Sequence, residues 1–304
     1  MPSPVAIKTG ASGAEENGTP PRTPTRMKVV LLCGGKGTRI RDVTEELPKP
    51  MIPIGRDPIL RHIMAIYGAF GHEDFVLCLG HLGWRIRNYF THLASESADV
   101  ELDFRRGGAQ RVLEPRSLPP WRVTLAETGA EAMTGARLSR VRRYVGRDTF
   151  LLTYGDGLAD VDLDALLAFH RSHGKLATVT AVRPPSRFGE LELAGDTVAS
   201  FREKPQVSTG RINGGYFVFE PQVFDYLDDD DGCVLEREPL QRLAADGQMM
   251  AFHHDGFWMP MDTPREHARL NEIWASGQAP WRPELLRPTT AASAATRVGG
   301  LVMR

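Results

Sequence analysis

The chain has 304 residues, 41% hydrophobic and 25% charged, which is enough to bury a large core and is ordinary for a globular protein. A formal net charge of −1, with no long Lys/Arg run, excludes a general nucleic-acid or membrane-surface binder, so any affinity for phosphate has to be local. No unbroken apolar span reaches the roughly 20 residues that cross a bilayer, there is no signal-peptide core, and Cys33, Cys78 and Cys233 show no metal or redox spacing, which together point to a reducing cytoplasm.

Residues 1–26, rich in Pro, Gly, Ser and Thr and nearly free of large apolar side chains, are expected to be a disordered leader. A domain over 27–282 follows, with a tail at 283–304 that mixes Pro, Ala and Thr without a period. Within the domain the apolar run Val29–Cys33 predicts a strand, Pro58–Phe70 a helix, Phe75–Leu79 a strand and Trp84–His92 a helix. Asp57 is the expected cap of the first helix, with Pro58 at its first helical position. Phe150–Tyr154 predicts another strand, ending at Gly155-Asp156-Gly157, and Asp162-Leu163-Asp164 reads as the acidic start of a helix through His173. The alternation implies βαβ units and a largely parallel sheet covered on both faces. Shorter strands at Ala177–Val182, Glu190–Leu193, Val198–Arg202 and Gly214–Glu220 are expected to extend the sheet and build a second lobe.

The chemistry concentrates between Val29 and Met51, VVLLCGGKGTRIRDVTEELPKPM. Gly34, Gly35 and Gly37 directly follow a buried strand, where backbone N–H groups can wrap anionic oxygens. A P-loop is excluded because Gly37, not Ser or Thr, follows Lys36; a dinucleotide fingerprint is excluded because Ile40 stands where its third glycine belongs. Arg39 offers a planar fork of donors, and Lys49, between Pro48 and Pro50, is a point charge on a backbone with little freedom. Asp156 and Asp262 each sit in a short polar break after an apolar segment, a placement equally typical of turn residues.

The stretch GGKGTRIRDVTEELPKPMIPIG resembles the signature of the sugar-phosphate nucleotidyltransferases. Six further blocks in order resemble the glucose-1-phosphate cytidylyltransferase branch: PWRVTLAETGAEAMTGARLSRV, TYGDGLADVD, FREKP, INGGYFVF, EREPLQRLA and GFWMPMDTPRE. The resemblance runs from about Met27 to Trp281 and implies an α/β fold, a Rossmann-like three-layer sandwich with a mixed, mostly parallel sheet and a smaller sugar-binding lobe. It implies CTP and α-D-glucose 1-phosphate as substrates and a homo-oligomeric assembly. It further implies Mg²⁺ on Asp156 and Asp262, Arg39 and Lys49 as activating cations, and a nucleotide held by Gly34, Gly35, Gly37, Thr38, Arg39, Thr128, Gly129 and Arg137. On the acceptor side it implies Glu203, Lys204, Asn213, Gly214, Glu236 and Glu238, although Lys204 also reads as a solvated strand-end charge and the last two glutamates as helix-start acids.

The chain departs from the family pattern at Cys33, at Gly80-His81-Leu82-Gly83, at Ala136 and at Leu235, which bear on base and sugar choice and touch no metal or phosphate residue. Other readings are the same chemistry on UTP, dTTP or another sugar phosphate, and a silent nucleotide-sugar-binding subunit. The presence of Asp156, Asp262, Arg39 and Lys49 argues against the silent subunit.

Overall fold

The computed structural model describes residues 26–37, 46–96, 98–113, 118–184, 190–194, 197–202 and 210–286. Expectations for residues 1–25, Thr38, Arg39, Glu203, Lys204 and 287–304 lie outside the described residues.

The KVVLL run forms β1 (Lys28–Leu32), and a 3-10 turn at Lys49–Met51 leads into a short hairpin, β2 (Pro53–Ile54) and β3 (Asp57–Pro58). Then come α1 (Ile59–Ala69), β4 (Asp74–Leu79), α2 (Gly83–Glu96), a hairpin of β5 (Asp99–Asp103) and β6 (Ala109–Leu113), and β7 (Arg122–Glu127). Two short helices, α3 (Thr134–Arg140) and α4 (Arg142–Val145), precede β8 (Phe150–Tyr154), β9 (Gly157–Ala159) and α5 (Leu163–His173). The second half contains β10 (Ala177–Val182), β11 (Glu190–Ala194), β12 (Thr197–Arg202) and β13 (Ile212–Phe219). It closes with α6 (Glu238–Ala245), β14 (Met249–His254), β15 (Trp258–Pro260), α7 (Pro264–Ala275) and α8 (Pro283–Leu286).

Seven strands form one sheet in the order β14-β10-β13-β8-β1-β4-β7. β1 pairs in parallel with β4 on one side and β8 on the other, β4 with β7, and β10 with β14; β13 alone runs antiparallel, to both of its neighbours. The sheet is therefore mixed and mostly parallel, as the alternation implied. Alternation along β1 sends Val29 and Leu31 to one face, where Ile59, Ile63 and Tyr67 of α1 cover them. Val30 and Leu32 go to the other face, under Leu138 of α3 and Leu240 and Leu243 of α6. A sheet buried on both sides gives the three layers. Because the chain adds β4 and β7 on one side of β1 and then crosses to β8 on the other, the crevice at the carboxyl end of β1 is the switch point where ligands of such sheets bind.

Two expectations are corrected. Asp57 does not cap α1: it pairs with Ile54 in the β2–β3 hairpin, its carboxylate meets Arg61 at 3.2 Å, and Pro58 is the cap residue. The first helical amide, Ile59 N, instead donates to Ile52 O at 3.0 Å, so tertiary pairing supplies what a side-chain cap would have supplied. The residues expected to open a patternless tail at 283 instead form α8, whose Leu286 packs against the core. β5, β6, β7, β14 and β15 were not legible as strands, since β5 and β6 lie largely exposed and β14 alternates only weakly.

The C-terminal end of the domain is pinned by Trp281, only 1% exposed, which stacks on Trp274 with ring centroids 6.3 Å apart and packs against Phe257 at 5.2 Å. Trp281→Ala should lower the unfolding free energy by about 3–5 kcal/mol through lost burial and the cavity left behind. In urea titrations the midpoint should fall with the slope unchanged.

Candidate active site

At the carboxyl end of β1 the backbone folds closely around the Lys49 turn. Pro48 and Pro50 flank Lys49, Met51 N donates to Pro48 O at 2.7 Å, and Ile52 N donates to Lys49 O at 3.1 Å. Gly37 sits at φ +57 against the Lys49 stem, and Gly155 leaves room for the Pro50 ring, which any Cβ there would crowd. The proline frame and these close contacts hold Lys49, its side chain 12% exposed, at one place.

Its ammonium joins two carboxylates, donating to Asp156 Oδ2 at 2.6 Å and to Asp262 Oδ1. Asp156 follows β8 directly, and the antiparallel β9–β15 ladder brings Asp262 alongside it, with Met261 N donating to Asp156 O at 2.8 Å. Asp262 is fixed in turn by the capping box of α7: Glu266 accepts from Asp262 N at 2.8 Å and from Thr263 N at 2.9 Å, while Thr263 caps the helix. Burial pulls the Lys49 pKa down, but the charges and hydrogen bonds of Asp156 and Asp262 outweigh it and hold it above the ordinary lysine value. The group therefore stays charged through neutral pH, and the stability it contributes is lost only as pH rises through that raised value.

A second cation lies beneath the glycine turn. Arg137 of α3, 4% exposed, donates through Nη1 to Leu79 O (3.0 Å), Thr128 Oγ1 (2.9 Å) and Gly129 O (2.7 Å), and through Nη2 to Gly34 O (2.9 Å). A Cβ on Gly34 or Gly80 would collide with this guanidinium, so these glycines are needed to let two loops close over it. The resemblance implies that Arg137 helps hold the nucleotide; here its Nη atoms donate to loop carbonyls and to the Thr128 hydroxyl. Thr128 Oγ1 also donates to Leu79 O at 2.6 Å, and Arg140 Nη1 to Thr128 O at 2.7 Å. Across the mouth, Lys36 donates to Glu131 at 2.6 Å. Two residues after Gly80, Leu82 has φ 52, a left-handed conformation uncommon for a large side chain.

Among the residues expected to meet the acceptor, Glu236 Oε1 accepts from Tyr154 Oη at 2.6 Å and Oε2 from Thr134 Oγ1 at 2.6 Å, while Asn213 Nδ2 donates to Tyr154 Oη at 3.3 Å. Burial, followed by the Glu236 charge and hydrogen bond, raises the Tyr154 pKa, so its hydroxyl remains a donor. Asn213 and Glu236 are thus brought together. Glu238 is not: it opens α6 and lines a small surface cleft with Tyr226, Asp228 and Cys233. The space at Gly214 is taken by β10, where Val182 and Thr180 O would clash with any Cβ, and Gly215 rather than Gly214 makes room for the Tyr154 ring. Tyr154, Thr134 and Gly80 were missed, because a hydroxyl or a lone glycine gives no signal in sequence without its partners.

Three of the departures, Leu235, Ala136 and Cys33, are core residues, while Gly80, His81 and Leu82 are half-buried. Leu235 is fully buried in the core on the α3 and α6 side, and Ala136 is buried with its amide on Cys233 O at 3.1 Å. Cys33 and Cys78 are buried small hydrophobes: burial raises both thiols, Cys78 to about 12, and keeps them neutral.

A glycine turn, a fixed ammonium and paired carboxylates at the switch point of a mostly parallel sheet define a phosphate-handling α/β protein. The family profile described as nucleotidyl transferase matches residues 28–266, and the chain belongs to that family. Proteins of Salmonella typhimurium and Salmonella typhi named glucose-1-phosphate cytidylyltransferase are 47% identical over 257 residues, 84% of this chain and 99% of theirs. A solved UDP-glucose pyrophosphorylase from Acinetobacter baumannii superimposes with a TM-score of 0.57 at 16% identity, covering 82% of this chain and 93% of that one, a likeness of fold.

Arg137→Lys keeps the charge but cannot span Gly34 O and Gly129 O together. It should cost about 2–3 kcal/mol, the scale of leaving buried acceptors without donors, read as a lower urea midpoint.

Proposed function

We propose that the chain transfers the cytidylyl group of CTP to α-D-glucose 1-phosphate, giving CDP-glucose and pyrophosphate. The observation that carries this reading is the 47% identity to the Salmonella enzymes over 99% of their length. In the reaction an oxygen of the sugar phosphate forms a bond to the α-phosphorus of CTP while the bond from that phosphorus to the bridging oxygen breaks and pyrophosphate leaves. Both reactants are anions, so the protein has to offset their repulsion and align them, more than supply acids and bases.

In this reading the amides around Gly34, Gly35, Gly37 and Thr38 hold the triphosphate, Arg39 lies on the departing pyrophosphate, and Lys49 lies on the α-phosphate, where charge develops. Thr128 and Gly129 meet the cytosine and ribose through a loop that Arg137 ties to the glycine turn. Lys204 receives the sugar phosphate, and Glu203, Asn213 and Glu236 meet sugar hydroxyls; Gly214, whose space β10 fills, and Glu238, at the start of α6, fit this role least.

Asp156 and Asp262 would hold Mg²⁺. Their convergence on the single ammonium of Lys49 is the fit: two carboxylates already share one cation, and Mg²⁺ takes its remaining ligands from water and phosphate oxygens. When bound, the metal supplies positive charge to the phosphate oxygens. Three free cysteines fit a reducing cytoplasm, and among the described residues no helix is long and apolar enough to cross a membrane. A homo-oligomer is proposed from the family resemblance alone.

With glucose 1-phosphate and each of CTP, UTP, dTTP, ATP and GTP in turn, pyrophosphate release should be fastest with CTP; a preference for UTP or dTTP would overturn the cytidylyl assignment and leave the reaction class standing. Asp156→Asn should lower kcat by at least about 100-fold, the scale of losing one preorganised charged contact, with its circular dichroism spectrum intact. Excess EDTA should likewise abolish turnover by the unmodified protein, and Mg²⁺ should restore it.

A further inference from the structure

Glu236 is held as a carboxylate with a fixed orientation. Each of its oxygens accepts one short hydrogen bond, from Thr134 Oγ1 and from Tyr154 Oη, both at 2.6 Å. Each oxygen keeps further lone-pair capacity, which then points in a set direction. Thr134 is itself fixed, since its Oγ1 accepts from Leu235 N at 2.9 Å. The next two amides of α3, Gly135 N and Ala136 N, both donate to Cys233 O, at 3.0 and 3.1 Å, so the start of this helix clamps the segment that carries Glu236. Three residues after Thr134, Arg137 holds Gly34 O and Gly129 O. A single short helix thus fixes the Glu236 carboxylate at its first residue and the nucleotide loops at its fourth.

We infer that Thr134 is a positioning residue for the acceptor sugar: its hydroxyl, together with that of Tyr154, orients Glu236 toward the sugar hydroxyls and sets its distance from the nucleotide loops. The inference rests on the reading that Glu236 meets the sugar. A carboxylate aimed by two donors presents acceptors at one spacing, which suits neighbouring hydroxyls on a pyranose ring. Without the Thr134 donor it can rotate, and the ordering lost from the protein has to be supplied when sugar binds.

The test compares Thr134→Val, which keeps shape and removes the hydroxyl, with Thr134→Ser, which restores it, and with Glu236→Gln. Thr134→Val should raise KM for glucose 1-phosphate about tenfold, the scale of one hydrogen bond to a charged group, and leave KM for CTP within about twofold. Thr134→Ser should return the sugar-phosphate KM to the parent value, which a merely structural role for the side chain would not require. If Thr134→Val does not fold, Tyr154→Phe removes the other donor to the same carboxylate and should show the same one-sided change. Unchanged sugar-phosphate KM in Thr134→Val, or in Tyr154→Phe where the former does not fold, beside a raised value in Glu236→Gln, overturns the positioning role alone. Unchanged KM in Glu236→Gln overturns the placement of Glu236 at the sugar, and the inference with it.

Discussion

One ammonium between two carboxylates sets the organisation of this protein. Asp156 and Asp262 come from chain segments more than a hundred residues apart and repel each other when brought close, so the fold needs a cation where they meet. Lys49 provides it. The requirement reaches outward: the proline frame fixes the lysine, Gly37 and Gly155 leave space for that frame, the β9–β15 ladder sets the two aspartates side by side, and Glu266 of α7 holds the backbone at Asp262. The same charges that satisfy one another in this structure are those that the proposed reaction would place against phosphate and metal. Groups already held in position have little reorganisation left to undergo when charge develops.

Arg137 plays a different part. It is buried and its Nη atoms are directed to backbone oxygens, so its charge is used inside the protein, to draw the glycine turn after β1 and the loop after β7 to one point. An arginine suits this because its planar fork can serve acceptors on separate loops at once, which an ammonium on a flexible stem cannot. The closeness of those loops is paid for by glycines at 34 and 80, where the guanidinium occupies the space of a side chain. α3 then links these loops to the Glu236 network, so both hang on one rigid element.

Much of the fold could be read from local pattern. The strand after Met27, the helix that Asp162 caps, and the strands at Ala177–Val182 and Phe150–Tyr154 appear where periodicity and turn residues put them, because each is governed by neighbours in sequence. Several missed elements lack a strong pattern of their own, such as the exposed β5–β6 hairpin and the edge strands β7 and β14, each completed by a single neighbour in the sheet; α7 is missed although its Thr263–Glu266 capping box is a local signal. Asp57 failed as a cap for a related reason, since Ile52 O from the adjoining hairpin takes the first helical amide.

The sequence by itself determined the α/β class, the family resemblance, and the residue types gathered near a phosphate: glycines after a buried strand, a lysine between prolines, aspartates at strand ends. These are properties of short segments, set by backbone freedom and charge. Only the tertiary structure decided that Lys49 meets both Asp156 and Asp262, that Arg137 faces inward to loop carbonyls, that Leu235 belongs to the core, and that Glu236 is aimed by Thr134 and Tyr154 while Glu238 lies apart at a helix start. Each of these depends on a distance between atoms far apart along the chain, and such distances are fixed by strand order and by the packing of helices on the sheet, which no local pattern of letters encodes.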